Sequence, residues 1–313
     1  MTPPVLAVLG ATATGKSALA LALAEALRGE IVNADALQVY RGLDIGTAKP
    51  GWPERRRVAH HLLDILEPWE RYSAGEFARR GRIAVAEIQE RGAVPILVGG
   101  SGLYLRALLE GISPVPPGDA AIRRGLVRRL EEAGLPALQA ELDRVDPVTA
   151  TRIGRGDSQR ILRALEVALA TGRPLSDWID RKPFGSQRIA VIRVGLTVPR
   201  ALLYDRIAVR VAGMVEQGFE EEVAGLLSRG LSPDLPAFQA IGYRQLVQHL
   251  EGKGSLEQAV AETIRETRRF AKRQETWFRK EPEVTWFSAL DLDRRFPEVI
   301  EHVEHRGLGR AYA

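Results

Sequence analysis

The chain has 313 residues, of which 45% are hydrophobic and 27% are charged, proportions typical of a globular protein. No apolar run approaches the roughly 20 residues that a membrane helix needs, so we expect no membrane association. The absence of cysteine excludes disulfides, a cysteine nucleophile and thiolate zinc sites, and it fits a cytoplasmic location. The net charge of +4 is too small to identify a partner.

Strand and helix patterns alternate through the first hundred residues. Apolar strands are predicted over residues 5–10, 30–35, 61–66 and 95–100. Helices are predicted over residues 15–27 and 73–91, and the second begins with a capping-box pattern at Ser73. Because strands separated by helices pair in parallel and are covered on both faces, we expect an α/β fold with a parallel sheet.

The pattern changes after Gly111, where the segment ISPVPPGDA contains three prolines. Only helical patterns follow, so we predict a helical insertion domain over residues 113–187, within a core domain of residues 1–112 and 188–313. Strand patterns return at residues 188–198 and 284–288, and helices dominate between them. The first residues lead directly into a strand and do not read as a secretion signal.

The segment GATATGKS, between the first strand and the first helix, matches the G-x-x-x-x-G-K-S pattern of a phosphate-binding P-loop. Its residues are Gly10, Ala11, Thr12, Ala13, Thr14, Gly15, Lys16 and Ser17. Successive backbone N–H groups and the helix N-terminus attract an anion, Lys16 adds a mobile positive charge, and Ser17 can ligate Mg²⁺. The loop alone leaves open whether a phosphoryl group moves, a nucleotide is hydrolysed or a diphosphate leaves.

Polar residues follow the second and fourth predicted strands. Because ligands of parallel sheets lie beyond the carboxyl ends of the strands, we expect Asp35 and Ser101 on the same rim as the P-loop. Asp35 can accept a proton or bind Mg²⁺ through water, or it can simply cap a loop. Ser101 can equally be a helix N-cap. The Gln38 amide suits the edge of an adenine, although a solvated glutamine is the ordinary alternative.

Two further stretches are rich in basic residues. Arg160 and Arg163 lie three residues apart on a predicted helix, either as a clamp for a nucleic-acid backbone or as a solvated face. Residues 265–280 are also strongly basic, with Phe270, Gln274 and Trp277 on one helical stripe. We expect those aromatic residues to pack in the core rather than stack on bases.

Together, the motifs resemble the tRNA isopentenyltransferase family, the bacterial tRNA dimethylallyltransferases. The segments that carry the resemblance are GATATGKS, NADALQVYRGLDIGTAKP, HHLLDIL, PILVGGSGLYLRALLEG, RILRALEV, QAIGY and AKRQETWFRK. The resemblance implies a P-loop NTPase-like core with a helical insertion domain and a helical C-terminal part. It also implies Mg²⁺-dependent transfer of a dimethylallyl group from dimethylallyl diphosphate to N6 of adenosine 37, in the anticodon stem-loop of tRNAs that read codons beginning with U.

Site residues follow from the resemblance, position by position. It assigns diphosphate binding to residues 10–17 with Arg206 and Arg210, catalysis to Lys16, Asp35 and Ser101, and a Mg²⁺ contact to Ser17. Asp35 matches the general base, and Ser101 stands where the family usually has threonine. The implied tRNA-binding residues are Asp35, Ala36, Leu37, Gln38, Ser101, Arg123, Gln159, Arg160, Ile161, Leu162 and Arg163.

Three alternatives use the same loop. A small-molecule kinase that uses ATP leaves the DALQVYRG segment and the basic C-terminal helix without an obvious role. A non-catalytic RNA-binding module is a second alternative. The third, an isopentenyltransferase acting on free adenine nucleotides, does not need the helical insertion. We therefore expect a monomeric tRNA-modifying enzyme.

Overall fold

The computed structural model describes residues 4–179 and 188–308. The chain divides into two compact units, which we call the core unit (residues 1–109 and 188–313) and the helical unit (residues 110–187). The predicted insertion of residues 113–187 differs from the helical unit only at its first residues. Of the helices in the described ranges, none combines the length and the apolar character that a bilayer crossing demands.

The core unit is built on a parallel sheet, and all neighbouring strands run in the same direction. Its six strands are β1 (Val5–Gly10), β2 (Gly29–Asn33), β3 (His60–His61), β4 (Val94–Val98), β5 (Val191–Thr197) and β6 (Val284–Ser288). Their order across the sheet is β3-β2-β4-β1-β5-β6. The α/β fold with a parallel sheet, predicted from the alternation of elements, is confirmed.

The predicted third strand, residues 61–66, is wrong over most of its length. Only His60 and His61 pair with β2, and the chain then leaves the sheet. Leu62 and Asp64 adopt left-handed conformations, with φ of 63° and 53°, which interrupt an extended strand. Asp64 accepts hydrogen bonds from Lys49 and Arg55. These ion pairs fix the segment outside the sheet, although its apolar residues predicted a strand.

The helices of the described residues are α1 (Lys16–Ala26), α2 (Trp52–Arg57), α3 (Ala74–Glu90), α4 (Gly102–Glu110), α5 (Ala120–Val145), α6 (Pro147–Arg152), α7 (Ser158–Thr171), α8 (Leu175–Ile179), α9 (Arg200–Glu216), α10 (Phe219–Ser228), α11 (Tyr243–Leu250), α12 (Leu256–Phe278) and α13 (Leu292–His305). A short 3₁₀ helix, Pro236–Gln239, precedes α11. The predicted cap of α3 is present, because the Ser73 hydroxyl accepts the Glu76 N–H at 3.1 Å.

Helices cover both faces of the sheet. Leu6 and Val8 of β1 pack with α1 and α13 on one face. Ala7 and Leu9 point to the other face, where α3, α4 and α12 pack. Because β1 is buried on both sides, each of its larger side chains contributes roughly 1.5–3 kcal/mol by leaving water. The P-loop therefore starts from a strand that is buried along its whole length.

The helical unit has its own apolar core. Its members include Leu126 and Leu142 of α5 and Ile161 and Leu165 of α7. Helix α5 bends at Gly134, which has a φ of 77° and is followed two residues later by Pro136. The non-helical backbone of Gly134 divides α5 into two helical segments.

The chain leaves and re-enters the core unit at a single point. The Leu109 carbonyl oxygen accepts a hydrogen bond from the Ile189 N–H at 3.0 Å. Leu109 lies near the end of α4, and Ile189 precedes β5. The two ends of the core unit that flank residues 110–187 are therefore joined by a backbone hydrogen bond.

Candidate active site

The P-loop joins β1 to α1 through a tight turn that depends on two glycines. Gly10 has a φ of 147° and Gly15 a φ of 93°, conformations that other residues adopt at a cost. A Cβ atom at Gly10 would lie 2.9 Å from the Leu196 carbonyl oxygen, so β5 also leaves no space for a side chain. The loop consequently keeps its backbone close to β5 and directs the N-terminus of α1 toward the cavity above the sheet.

Lys16 folds back across the loop. Its ammonium donates to the Ala11 carbonyl oxygen at 2.7 Å, and the buried Thr14 hydroxyl donates to the same oxygen at 2.8 Å. Burial, together with the nearby charge of Arg210, lowers the pKa of Lys16 to about 7, and the Asp35 carboxylate acts in the opposite direction. An anion in the loop would restore the charge of this side chain, because it supplies the counter-charge that the site lacks.

A polar cavity of about 460 Å³ opens above the loop. Lys16, Ser17, Asp35 and Gln38 line it, together with Arg206 and Arg210 of α9. The two arginines are one helical turn apart, and neither guanidinium hydrogen-bonds to a described residue. Burial lowers the pKa of Arg210, which the Asp35 charge partly offsets. Lys16, Arg206 and Arg210 share this cavity with one carboxylate, that of Asp35, and the excess of positive charge favours binding of an anion.

An adjoining cavity of about 600 Å³ is mainly apolar. Its walls include Ala36, Leu37, Ser101, Val211, Met214, Phe219 and Trp277. Both cavities are lined by Thr12, Asp35, Thr47, Gly100, Arg210, Phe270 and Gln274. The anion site therefore meets an apolar space, and Asp35 lies where the two join.

Asp35 is held by the residues around it. The buried Asn33 side chain accepts the Asp35 N–H through its oxygen at 3.1 Å, and it donates to the Leu62 carbonyl at 3.1 Å. One Asp35 carboxylate oxygen accepts the Leu37 N–H at 2.9 Å. The second oxygen has no partner among the described residues, so it is available to a ligand. Strand β2 ends at Asn33, two residues before the position predicted from the sequence.

Ser101 lies at the start of α4 and lines the apolar cavity. Its carbonyl oxygen accepts the Leu105 N–H, as an N-cap residue does, but its hydroxyl makes no hydrogen bond with a described residue. The alternative that the Ser101 hydroxyl caps the helix is therefore not observed. The hydroxyl and Asp35 face the same cavity.

Gln38 is fixed by its amide nitrogen, which donates to the carbonyl oxygens of Thr47 and Ala48 at 3.1 and 3.2 Å. The loop that carries these carbonyls is anchored by Glu222 of α10. The Glu222 carboxylate accepts the N–H groups of Asp44, Ile45 and Gly46, and it also accepts the buried Tyr243 hydroxyl at 2.6 Å. Residues 44–48 are thus a rigid wall of the polar cavity.

Gln274, which lies at the junction of the two cavities, was not assigned a specific role from the sequence. Its side-chain oxygen accepts the Thr12 N–H at 2.8 Å, and its nitrogen donates to the Gly100 carbonyl at 2.9 Å. Gln274 is 5% exposed and follows the buried Ala271 on α12. A polar residue within an apolar helical stripe is the signal that could have identified it, since buried polar groups need partners.

The predicted tRNA-binding residues of the helical unit fall into two groups. The half-buried Arg123 donates to the exposed Gln159 at 2.5 Å, and the exposed Arg160 lies 3.4 Å from Asp157. Ile161 and Leu162, in contrast, are buried in the core of the unit. We therefore correct the assignment of these two side chains, which support the helix rather than face a ligand.

Arg163 is also different from its predicted companion Arg160. Its guanidinium bonds to the nearly buried Glu166 at 2.9 Å and to the Pro116 carbonyl. These contacts attach the proline-rich segment to α7. The sequence left open a nucleic-acid clamp or a solvated face for Arg160 and Arg163, and the structure shows that the guanidinium of Arg163 is already engaged within the unit.

A divalent cation would find oxygen donors at the polar cavity rather than a protein cage. The described residues contain no cluster of three or more histidine, cysteine or acidic side chains that could hold a metal. Ser17 is exposed on the cavity wall, and Asp35 has one free carboxylate oxygen. This pair suits Mg²⁺, which usually takes few protein ligands and completes its shell with phosphates and water.

Comparison with known proteins identifies the family. The IPP transferase family model matches residues 38–281. The chain is 50% identical over 297 residues to the tRNA dimethylallyltransferase of Syntrophobacter fumaroxidans, covering 95% of this chain and 87% of the relative. The tRNA isopentenylpyrophosphate transferase of Bacillus halodurans has a similar structure, with a TM-score of 0.71, 37% identity and coverage of 99% and 98% of the two chains.

A eukaryotic dimethylallyltransferase, whose structures were determined as it acts on tRNA, gives a TM-score of 0.75 at 27% identity. That comparison covers 93% of this chain and 75% of the eukaryotic one. The matches extend over both units of the chain, and the match to the Bacillus halodurans structure, which covers 99% of this chain, includes the P-loop that the family model leaves out. On these grounds the chain belongs to the IPP transferase family.

Proposed function

We propose that this enzyme transfers a dimethylallyl group from dimethylallyl diphosphate to N6 of adenosine 37 in tRNAs that read codons beginning with U. The family establishes the reaction class, tRNA prenylation. The observation that carries the assignment of the site is the junction of an anion cavity and an apolar cavity at Asp35. A prenyl diphosphate has one charged end and one hydrocarbon end, and this pair of cavities matches it.

The P-loop would hold the diphosphate. Its backbone N–H groups, Lys16 and the two unpartnered arginines of α9 supply positive charge on one side of the cavity. As the allylic C–O bond breaks, its electron pair passes to the diphosphate oxygen. Groups already oriented toward that oxygen stabilise the developing charge more than they stabilise the intact substrate. Lys16, Arg206 and Arg210 would therefore serve the leaving group.

Asp35 would accept the proton from N6. The adenine amine is a weak nucleophile because its lone pair is delocalised into the ring. The N6–carbon bond forms as the C–O bond breaks, and the proton that N6 loses passes to the free carboxylate oxygen of Asp35. Ser101 would orient the amine from the apolar side, since its hydroxyl is unpaired and faces the same cavity.

Mg²⁺ fits the donors that the site offers. Ser17 would hold it together with the diphosphate and water, Asp35 would reach it only through a water molecule, and the ion would neutralise charge on the leaving group. In the helical unit, the half-buried Arg123 and the exposed Gln159 and Arg160 would contact the tRNA backbone. The cytoplasm, where tRNA is modified, is the expected location.

A small-molecule kinase is the alternative with the same loop. Nothing in the comparisons favours it, and the apolar cavity beside the P-loop does not suit a polar phosphoryl acceptor. The test is incubation of unmodified tRNA with labelled dimethylallyl diphosphate and Mg²⁺ in the absence of ATP, followed by mass analysis of the nucleosides. We expect N6-(dimethylallyl)adenosine, and no product with a control tRNA that carries guanosine at position 37. Transfer of the ATP γ-phosphate to a small acceptor, without prenylated tRNA, would contradict the proposal.

A further inference from the structure

We propose that Lys49 is a positioning residue for the reaction, because its buried ammonium holds two strained turns that orient Asp35 and Gln38. The turns lie at residues 47–49 and 62–64. The inference rests on the proposed function, in which Asp35 accepts the N6 proton. Lys49 lines neither of the two cavities, so it can act on the substrates only through other residues.

The ammonium of Lys49 is bonded in three directions. It donates to the carboxylates of Asp44 and Asp64 and to the carbonyl oxygen of Tyr40, each at 2.6 Å. The side chain is 1% exposed, and the three N–H groups of an ammonium are matched by these three acceptors. One cation therefore ties its own loop to the segment that follows β3.

The backbone around this ammonium is strained. Ala48, Leu62 and Asp64 have φ of 48°, 63° and 53°, in the left-handed region that residues with a side chain rarely adopt. Such conformations persist only where the surrounding contacts over-determine them. Ala48 adjoins Lys49 in the chain, and Asp64 is bonded to its ammonium. The contacts of Lys49 are thus placed to hold both turns in conformations that they would otherwise leave.

Each strained turn presents a carbonyl oxygen to a side chain of the active site. The Ala48 carbonyl accepts the amide of Gln38 at 3.2 Å. The Leu62 carbonyl accepts the amide nitrogen of the buried Asn33 at 3.1 Å. The oxygen of the same Asn33 amide accepts the Asp35 N–H, also at 3.1 Å. Relaxation of the two turns would therefore displace Gln38 directly and Asp35 through Asn33.

Lys49→Met tests this role, since it keeps the apolar stem and removes the charge. We expect kcat for prenylation to fall by roughly 10- to 100-fold, because a small displacement of a reacting group is enough for such a loss. The KM for dimethylallyl diphosphate should stay within about twofold, since the Lys49 ammonium bonds to no residue of the P-loop. Single-turnover and steady-state kinetics measure the two quantities.

The control for a general loss of stability is Val303→Ala. Val303 is 0% exposed on α13, on the face of the sheet that α1 covers, and its truncation leaves a cavity in the core. Both variants should unfold at a lower temperature than the wild type. Only Lys49→Met should lose kcat when both are assayed well below their unfolding midpoints.

The absence of cysteine allows the ammonium to be restored chemically. In denaturant, the thiolate of Lys49→Cys displaces bromide from 2-bromoethylamine, which forms a thioether with the length and charge of lysine. After refolding, this protein should regain most of the wild-type kcat. The same variant alkylated with bromoethane lacks only the amine and should stay as slow as Lys49→Met. Wild type taken through the same steps controls for refolding.

The route through Asn33 is tested by combining Asn33→Ala with Lys49→Met. Because both changes release Asp35 through the same contact, the loss of kcat in the double variant should be smaller than the product of the two single losses. Losses that multiply would overturn the inference. So would equal kcat of Lys49→Met and Val303→Ala, or equal kcat after the two alkylations. A wild type that does not prenylate tRNA would instead contradict the proposed function, and the inference with it.

Discussion

The rim of the core unit and the exposed face of the helical unit both carry arginines, but their environments differ. In the core unit, Arg206 and Arg210 line a cavity and bond to no described residue. In the helical unit, Arg163 is bound to Glu166 and to a backbone carbonyl. A partly buried cation without a partner is costly, so it indicates a ligand, whereas a paired one indicates a structural contact. The hydrogen-bond partners of an arginine therefore show whether it binds a ligand or stabilises the fold, and its place in a basic stretch of sequence does not.

The largest effect expected from this comparison concerns chemistry at the rim. Asp35→Asn should lower kcat by roughly 100- to 10,000-fold, because the variant cannot accept the N6 proton. Affinity for tRNA should stay within a few-fold. Single-turnover prenylation and a filter-binding assay measure the two quantities. Asp293→Asn, an exposed change on α13, is the control. Full activity of Asp35→Asn would exclude Asp35 as the base.

A smaller effect is expected for an unpartnered cation of the rim. Arg210→Ala should raise the KM for dimethylallyl diphosphate by roughly 10- to 100-fold, since one charge-assisted hydrogen bond to the diphosphate is lost. The dissociation constant for tRNA should not change. Steady-state kinetics with each substrate varied in turn separates the two. If Arg210→Ala weakens tRNA binding alone, the assignment of this cavity to the diphosphate is wrong.

Arg163 should behave in the opposite way, because its role is in the fold of the helical unit. Arg163→Ala should lower the free energy of unfolding by about 1–3 kcal/mol, since the nearly buried Glu166 loses its partner. Thermal or urea unfolding of the full chain measures this. Arg160→Ala, an exposed change in the same helix, should leave stability within about 0.5 kcal/mol of the wild type. Equal stability of all three proteins would refute the structural role of Arg163.

Arg160 provides the complementary test in tRNA binding. Because it is exposed and only loosely paired with Asp157, Arg160→Ala should weaken tRNA binding a few-fold. The slope of log affinity against log salt concentration should become shallower by about 1, as expected for one lost phosphate contact. Binding measured between low and moderate salt gives the slope. An unchanged slope would make Arg160 part of a solvated face.

The smallest expected effect is the uptake of a proton by Lys16 when diphosphate binds. With a pKa of about 7, Lys16 is largely neutral at pH 8, and a bound diphosphate favours its charged form. Binding at pH 8 should therefore take up at most about one proton, and affinity should fall as pH rises above 7. Calorimetry in two buffers of different ionisation enthalpy measures the uptake. Lys16→Arg, which stays charged, is the control, and identical uptake by both proteins would contradict the shifted pKa.

The sequence predicted the elements that depend on local pattern. An apolar run predicted strand β1, which is buried on both faces. The capping-box pattern predicted the hydrogen bond of the Ser73 hydroxyl, which is also present. The segment after His61 was mispredicted because side-chain contacts outside the local apolar pattern, from Lys49 and Arg55, hold Asp64 in place of a strand. Gln274 could not be assigned for the same reason, since its partners Thr12 and Gly100 lie more than 170 residues away in the chain.

The hydrogen bond between Leu109 and Ile189 has a consequence for how this enzyme can be altered. Because the chain departs from the core unit and returns to it at hydrogen-bonded residues, the described residues between them, 110–179, add no strand to the parallel sheet. The arrangement is modular. The part of the chain that carries the exposed arginines can be exchanged, shortened or grafted through a short linker, while the P-loop, Asp35 and Gln274 keep their positions.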